Sequence, residues 1–562
     1  MSVGQEVSIK RCTARREGDQ TIALRGWSPE LLQFYHMLPN ARFDKVRRLW
    51  TCSLTLMTLW RIGLREDVAL DDELDGIYRE YLNALRRATE ARDGVNGLAQ
   101  PLVHTTKAWR HQLRGFWFAH PLQAVLLAMD MGTGKTLDAI YLALNWRAER
   151  IIVLCPKSVL GVWRREIEKH AGGRIRTVVL ERGDTRRKVA DAQKALAQPG
   201  PVAIIVNYDT ARTAIFAAWS LAQDWDVAIC DESHRIAHPQ TAQSKYAAKL
   251  GAVAKRRLCL TGTPMGQSPL DLYGQFKFLD PGLFGTSWTS FKARYAICAN
   301  PYIPQQITGF RNQDELRRLM ALLTYRCKAS EVLDLPPIHH MDRRFTLGAD
   351  AQRAYRQLEQ DFITEIKGGT VTAANALVKL LRLQQITSGH LTPVDDTGTA
   401  GAVEEIDHAK ADLLEELLSD LDTREPVVVF CRFRPDLERI RRIGERLGRR
   451  CGEISGRRKD LTDQATMPED LDLLAVQIQA GGLGIDLSRA SYGFWYSLSF
   501  SLTEFDQSVA RLHRPGQAHP VHCYHLVGEG TVDKSIYRAL EKRREIIEEI
   551  LAVFRNPNAK ED

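Results

Sequence analysis

The sequence predicts an α/β protein of two parallel-sheet lobes preceded by a small α+β domain. Three observations carry this. Short apolar runs recur at 124–128, 151–155, 202–206, 227–230 and 258–261, each closing on glycine or polar residues, as buried parallel strands do. A second such set begins at Lys410, with runs at 427–431, 473–478 and 493–498. Residues 1–95 instead mix aromatics with basic side chains (Trp27, Phe34, Tyr35, Phe43, Lys45, Arg47, Arg48, Trp50) and end in a helical repeat. That repeat, Leu70, Leu74, Ile77, Tyr78, Tyr81 and Leu85, closes at Asp93-Gly94.

Composition sets the outer bounds. At 562 residues the chain has room for about three or four domains, each burying its own core. Lys+Arg 77 against Asp+Glu 69 leaves +8, which suits a polyanionic partner and equally a plain basic enzyme surface. The 10 cysteines form no C-x-x-C pair, and Cys155, Cys230, Cys259 and Cys431 sit in or beside apolar runs. They read as buried thiols in a reducing compartment, with no zinc framework. The N-terminus lacks the apolar core of a signal peptide, and no segment approaches the roughly 18 apolar residues that span a bilayer. The expectation is a soluble cytoplasmic protein with no membrane partner.

The element that organises the chain is the run at 124–128, broken by Gly132 and Gly134 and followed by a helical pattern from 137 to 146. Strand, glycine loop and helix make a phosphate cradle. Backbone N–H groups of Met131, Gly132, Thr133 and Gly134 and the positive end of the helix surround a triphosphate, Lys135 reaches its outer phosphates, and Thr136 ligates Mg²⁺. The motif is imperfect, because Met129 stands where its first glycine is expected. In an open parallel sheet the ligand lies beyond the carboxyl ends of the strands. Pro156-Lys157-Ser158, Asn207-Tyr208, Asp231-Glu232 and Gly262-Thr263 therefore line one edge beside the loop. Asp231 is placed to hold the metal and Glu232 to orient or deprotonate the attacking water.

These motifs and their order over residues 105–545 resemble a Swi/Snf-type helicase of superfamily two. The resemblance implies two RecA-like P-loop lobes with helical insertions, ATP and Mg²⁺ as substrate and cofactor, and nucleic acid as partner, in double-stranded or branched DNA form. Gln112 resembles the glutamine that reads adenine, and Cys155-Pro-Lys-Ser-Val-Leu-Gly-Val-Trp163 the segment that grips a nucleic-acid backbone. By the same likeness Lys157, Ser158, Trp163, Asn207, Tyr208, Arg432 and Gln477 contact nucleic acid. His234, Thr261 and Thr263, the last two in Leu260-Thr-Gly-Thr-Pro264, couple hydrolysis to strand contacts. In the second lobe Gly484, Asp486 and Gln507 complete the nucleotide side. Arg511 and Arg514, three apart on an expected helix, are the arginine fingers.

Departures from that pattern are specific. Asp130 replaces a glutamate, Met129 an aspartate, Gln477-Ile478 a Ser-Thr pair, and residues 497–505 a D-x-x-W-N-P segment. They leave ATP chemistry intact, fall on strand contacts, and point to a compact prokaryotic or viral member, nucleoid-associated in such a host. Residues 24–34 and 43–50 are faintly similar to the HARP module of annealing helicases. The expected domains are 1–95 (accessory), 96–345 (first lobe with a helical protrusion), 346–531 (second lobe with a helical protrusion and a linker at 391–409) and 532–562 (brace helix). The expected function is ATP-dependent translocation on duplex or branched DNA. A strand-separating helicase on DNA or RNA, or an ATP-controlled clamp, are the alternatives. Arg441, Arg442, Arg446, Arg449, Arg450, Arg457, Arg458 and Lys459 are either phosphate contacts or a solvated face.

Overall fold

The computed structural model describes residues 12–94, 98–300, 303–367, 373–391, 402–458, 460–461, 466–479 and 485–551. The chain divides into two units, Met1–Val332 with Ile547–Asp562, and Leu333–Ile546.

The first unit begins with a five-stranded sheet in the order Arg42–Asp44, Leu49–Ser53, Thr21–Arg25, Cys12–Arg16, Val68–Leu70. Its core packs Ile22 and Leu24 against Leu31, Tyr35, Leu59 and Ile62. The helix Asp72–Asp93 forms where the repeat predicts it. The Asp71 carboxylate caps Leu74 N–H, three acidic residues fill the first turn, and Gly94 ends it at φ 70°. The N-terminal aromatics divide between two roles. Phe34 and Tyr35 are core and Trp50 packs on Tyr35, whereas Trp27 is 72% exposed and Phe43 is 49% exposed.

Asp280 joins this module to the parallel-sheet domain. Its buried carboxylate accepts N–H groups of Met57 (3.1 Å) and Gly282 (2.8 Å). A Cβ at Gly282 would lie 2.4 Å from the Thr58 nitrogen and 2.5 Å from Thr55 Oγ1. Gly282→Val therefore forces the two apart, with an expected loss of about 1–3 kcal/mol, read as a lowered melting temperature and faster proteolysis within residues 12–94.

The sheet that follows is parallel throughout, ordered Thr324–Cys327, Ala124–Met129, Arg256–Thr261, Val227–Asp231, Arg150–Cys155, Val202–Asn207, Arg176–Val179. The glycine loop, the Thr261 strand and the Asp231 strand thus end side by side. The sequence marks the five central strands and misses the two at the edges, which are four residues each and partly polar.

The second unit holds a six-stranded parallel sheet, ordered Ile338–Phe345, Val521–Gly528, Tyr492–Trp495, Val427–Cys431, Leu473–Gln477, Cys451–Ile454. Ile338–Phe345 is expected at the end of the first lobe but pairs along its length with Val521–Gly528. Its polar composition, IHHMDRRF, fits an edge strand with one face in water. Helices Ala349–Lys367 and Ala373–Thr387 account for the helical run, and most of the expected linker, 392–401, lies outside the described residues. The closing helix, Val532–Leu551, is tied back by Arg543 donating to the Phe500 carbonyl and by the Arg544–Asp506 ion pair. Among the described residues no helix is long and apolar enough to cross a membrane.

Candidate nucleotide and coupling site

The glycine loop is held from behind by two side chains of the helix Arg110–Ala119. His111 Nε2 and Gln112 Nε2 both donate to the Thr133 carbonyl, at 2.8 and 3.1 Å. Burial holds His111 below the usual imidazole range, so it stays neutral with its proton on Nε2. Gln112 Oε1 accepts from Trp109 N–H at 2.8 Å, which fixes the amide's orientation. Gly134 sits at φ 90°, and a Cβ there would meet Gln112 Nε2 at 2.1 Å, so glycine is required on both counts. Thr133 is buried and returns its hydroxyl to the Asp130 carbonyl at 2.7 Å. The Asp130 carboxylate accepts Ala329 N–H at 3.0 Å, which ties the loop to the helical turn Ala329–Val332 just after the edge strand Thr324–Cys327.

Lys135 and Thr136 open the helix Lys135–Asn145 beneath this loop, half-buried. Two strands away, Asp231 closes Val227–Asp231 and Glu232 follows in the left-handed region at φ 49°. Non-glycine residues there are strained and cluster at functional sites. Burial, and then the neighbouring Glu232 carboxylate, push Asp231 up to about 6, while Lys135 pulls the other way. Two crowded carboxylates, with Lys135 near enough to act on Asp231, fit a divalent ion. Mg²⁺ takes one or two carboxylates plus substrate oxygens rather than an all-protein cage. No cluster of three metal-ligating side chains occurs among the described residues.

A hydrogen-bonded chain runs beside this pair. Glu232 Oε2 lies 3.3 Å from His234 Nδ1. Ser233 Oγ donates to Gln275 Oε1 at 2.7 Å, and Gln275 Nε2 donates to the Pro264 carbonyl at 2.6 Å. The loop Thr261–Pro264 is itself set by Thr263 N–H donating to Thr261 Oγ1 at 3.1 Å. Gln275 is fully buried and bridges the two motifs. The sequence contains the signal, a glutamine on an otherwise apolar helical face at Leu272–Leu279.

Several expected nucleic-acid contacts face inward. Trp163 is 1% exposed and Tyr208 is 4% exposed. The Trp163 indole donates to Asp231 Oδ2 (2.8 Å) and the Tyr208 hydroxyl to the Asp231 carbonyl (2.7 Å). Buried aromatics with a polar tip find a partner inside, and that replaces the expected contact with nucleic acid. Asn207 caps its helix through Thr210 N–H at 2.9 Å. Lys157 is exposed and Ser158 half-buried.

In the second unit Arg432 N–H donates to Ser497 Oγ (2.7 Å) and its guanidinium to Gln384 Oε1 (2.5 Å), while Gln477 Nε2 donates to the Arg432 carbonyl (3.2 Å). Ile485, Gln507 and Arg511 line one small cavity. Arg511 lies in the last turn of the helix Leu502–Leu512, but Arg514 lies beyond it. The expectation of one shared helix is corrected. Arg514 precedes Pro515, which disfavours helical backbone, and His513 bonds instead to the Pro336 carbonyl at 2.7 Å. Arg514 donates to the Ile485 carbonyl at 3.3 Å and stands 3.8 Å from Asp486. Gly484 lies outside the described residues.

The basic cluster is internally engaged. Arg441 pairs with Glu438, Arg442 with Glu405, Arg446 with Glu415, Arg450 with Asp472, Arg457 with Glu453 and Arg458 with Asp460. Arg449 is buried and donates to five backbone carbonyls, so it is a structural residue. Lys459 lies outside the described residues.

Comparison with known proteins places these motifs in a family. The SNF2-related domain matches residues 82–390, and the helicase conserved C-terminal domain matches residues 409–516. The chain is 22% identical to a Caenorhabditis elegans homolog of SWI/SNF-related matrix-associated actin-dependent regulator of chromatin subfamily A-like protein 1, over 92% of this chain and 73% of that protein. It is 25% identical to the putative ATP-dependent helicase/translocase YwqA of Bacillus subtilis and 26% identical to the human DNA annealing helicase and endonuclease ZRANB3. Those matches cover 76% and 75% of this chain but only 46% and 38% of the relatives, so the chain spans less than half of either. Among solved structures it is similar to the Sulfolobus solfataricus SWI2/SNF2 ATPase core in complex with dsDNA, at TM-score 0.39 and 21% identity, covering 83% of this chain and 97% of that one. With the SNF2-related domain alone matching more than half of its length, the chain belongs to the Swi/Snf-type SNF2 family of superfamily two helicases, a family of nucleic-acid-dependent ATPases.

Proposed function

We propose that this protein is an ATP-dependent translocase on duplex or branched DNA that acts within the cell. The observation that carries the reading is a hydrogen-bonded link in the first unit that starts at Ser233, the residue after Glu232, and ends on the Thr261–Pro264 loop. Ser233, peptide-bonded to Glu232, donates to Gln275, which donates to the Pro264 carbonyl. A protein that only binds nucleotide has no need of such a chain.

In this reading Lys135 and the loop N–H groups bind the phosphates of ATP, and Gln112 exchanges its internal bonds for the adenine edge. Thr136 and Asp231 would hold Mg²⁺, which when bound offsets phosphate charge. Glu232 accepts the proton of the attacking water, with His234 beside its carboxylate. Arg511 and Arg514 of the second unit neutralise charge on the transferring phosphoryl group. Lys157 and Ser158 meet the DNA backbone. The accessory domain adds exposed Trp27 and Phe43 as stacking surfaces for unpaired bases at a junction, in keeping with its faint HARP likeness. Strand annealing, fork remodelling or displacement of bound protein are the outputs this arrangement serves.

Triplex displacement tests translocation directly. A third strand annealed to linear duplex is expected to be released with ATP and retained with a non-hydrolysable analogue. Release by the analogue alone would mean an ATP-controlled clamp, and release only from single-strand tails a strand-separating helicase.

A further inference from the structure

We infer that Trp163 is a positioning residue through which the segment Lys157–Val159 sets the Asp231 carboxylate, so that nucleic-acid contact and metal-site geometry move together. The inference rests on the function proposed above and names the part of the first unit that links track to hydrolysis.

The Asp231 carboxylate is held at both oxygens. Oδ1 accepts Glu232 N–H at 3.0 Å and Oδ2 accepts the Trp163 indole N–H at 2.8 Å. The first bond is local to the Asp231–Glu232 turn. The second comes from another element, the helix Leu160–Ala171 that follows the neighbouring strand Arg150–Cys155. Indole has a single polar atom, a donor, so its burial at this position has one outlet. The next strand along, Val202–Asn207, adds a second clasp, because Tyr208 donates to the Asp231 carbonyl at 2.7 Å. Asp231 is thereby fixed by two strand-end segments that each begin at the sheet edge expected to face DNA.

The lever is short. Exposed Lys157 lies in the single turn Lys157–Val159 that leads directly into the helix carrying Trp163. Rise along a helix puts these residues on the order of 9 Å apart. Hydrogen bonds weaken steeply with angle and length, so a sub-ångström shift of this helix alters the hold on Oδ2. Phosphate contact at Lys157 or Ser158 is thus felt at Asp231 through one bond.

The readout is the ratio of ATPase rates with and without saturating duplex DNA. Trp163→Phe keeps an aromatic side chain but deletes the donor with its pyrrole ring, a truncation the control shares, and is expected to lower this ratio about tenfold, the effect of losing one charge-assisted hydrogen bond. Trp225→Phe is the control. Trp225 is equally buried and donates to the Ser220 carbonyl at 2.8 Å, away from Asp231, so its loss leaves the ratio unchanged. Lys157→Ala lowers the ratio in the unaltered protein and has no further effect in the W163F background, as two parts of one lever require. A ratio preserved in W163F, an equal fall in W225F, or additive effects of K157A and W163F would each overturn the inference. If W163F fails to fold, Trp163→Leu removes the same donor and keeps a buried apolar side chain, and an unchanged ratio there overturns the inference. Absence of stimulation in the unaltered protein would instead count against the proposed function.

Discussion

Glu232→Gln is expected to lower ATP turnover by about 10²–10⁴-fold while ATP and DNA still bind. Glutamine keeps the size and one acceptor of the side chain but cannot take a proton. The residue is held at φ 49°, directly after Asp231, with Oε2 3.3 Å from His234 Nδ1. That placement matters only if the carboxylate meets the nucleophile. Phosphate release together with binding of a fluorescent ATP analogue separates the two effects. Lys135→Ala, by contrast, loses both binding and turnover. Unchanged turnover in E232Q would remove Glu232 from the reaction.

Arg511→Ala is expected to lower turnover by about 10³-fold or more, the scale of a guanidinium acting on a transferring phosphoryl group. Arg511→Lys does not restore it, because an ammonium lacks the planar two-pronged donor set. Arg514→Ala differs in kind. Its guanidinium also donates to the Ile485 carbonyl at 3.3 Å and lies 3.8 Å from Asp486, so its loss loosens the 485–488 turn as well as removing charge. A lowered melting temperature is therefore expected for R514A. Equal, small effects of both on turnover would reduce these residues to structural ion pairs.

Much of the fold is legible in the sequence because buried parallel strands are continuous apolar runs. Ala124–Met129, Val202–Asn207 and Val427–Cys431 are buried at every position. Edge strands lack that signature. Thr324–Cys327 and Ile338–Phe345 carry arginines, histidines and an aspartate toward water, and no run marks them. At the site, glycines and carboxylates are fixed by chemistry and stand where their spacing puts them. Side-chain direction is a tertiary property. Trp163 and Tyr208 beside basic and polar residues have the composition of a nucleic-acid-binding edge, yet the oxygens that claim their donors, a carboxylate oxygen for Trp163 and the backbone carbonyl for Tyr208, lie far along the chain at Asp231. Arg450 and Arg446 likewise look like free cations until Asp472 and Glu415 are folded against them.

The central claim is that hydrolysis is driven by DNA, and the steady-state ATPase rate tests it most directly. It should be measured at fixed salt with no nucleic acid, linear duplex, single strand, forked DNA and structured RNA. Strong stimulation by duplex or forked DNA, abolished in Lys135→Ala, is the predicted result. Stimulation by RNA or single strands alone, or by none of them, would contradict it.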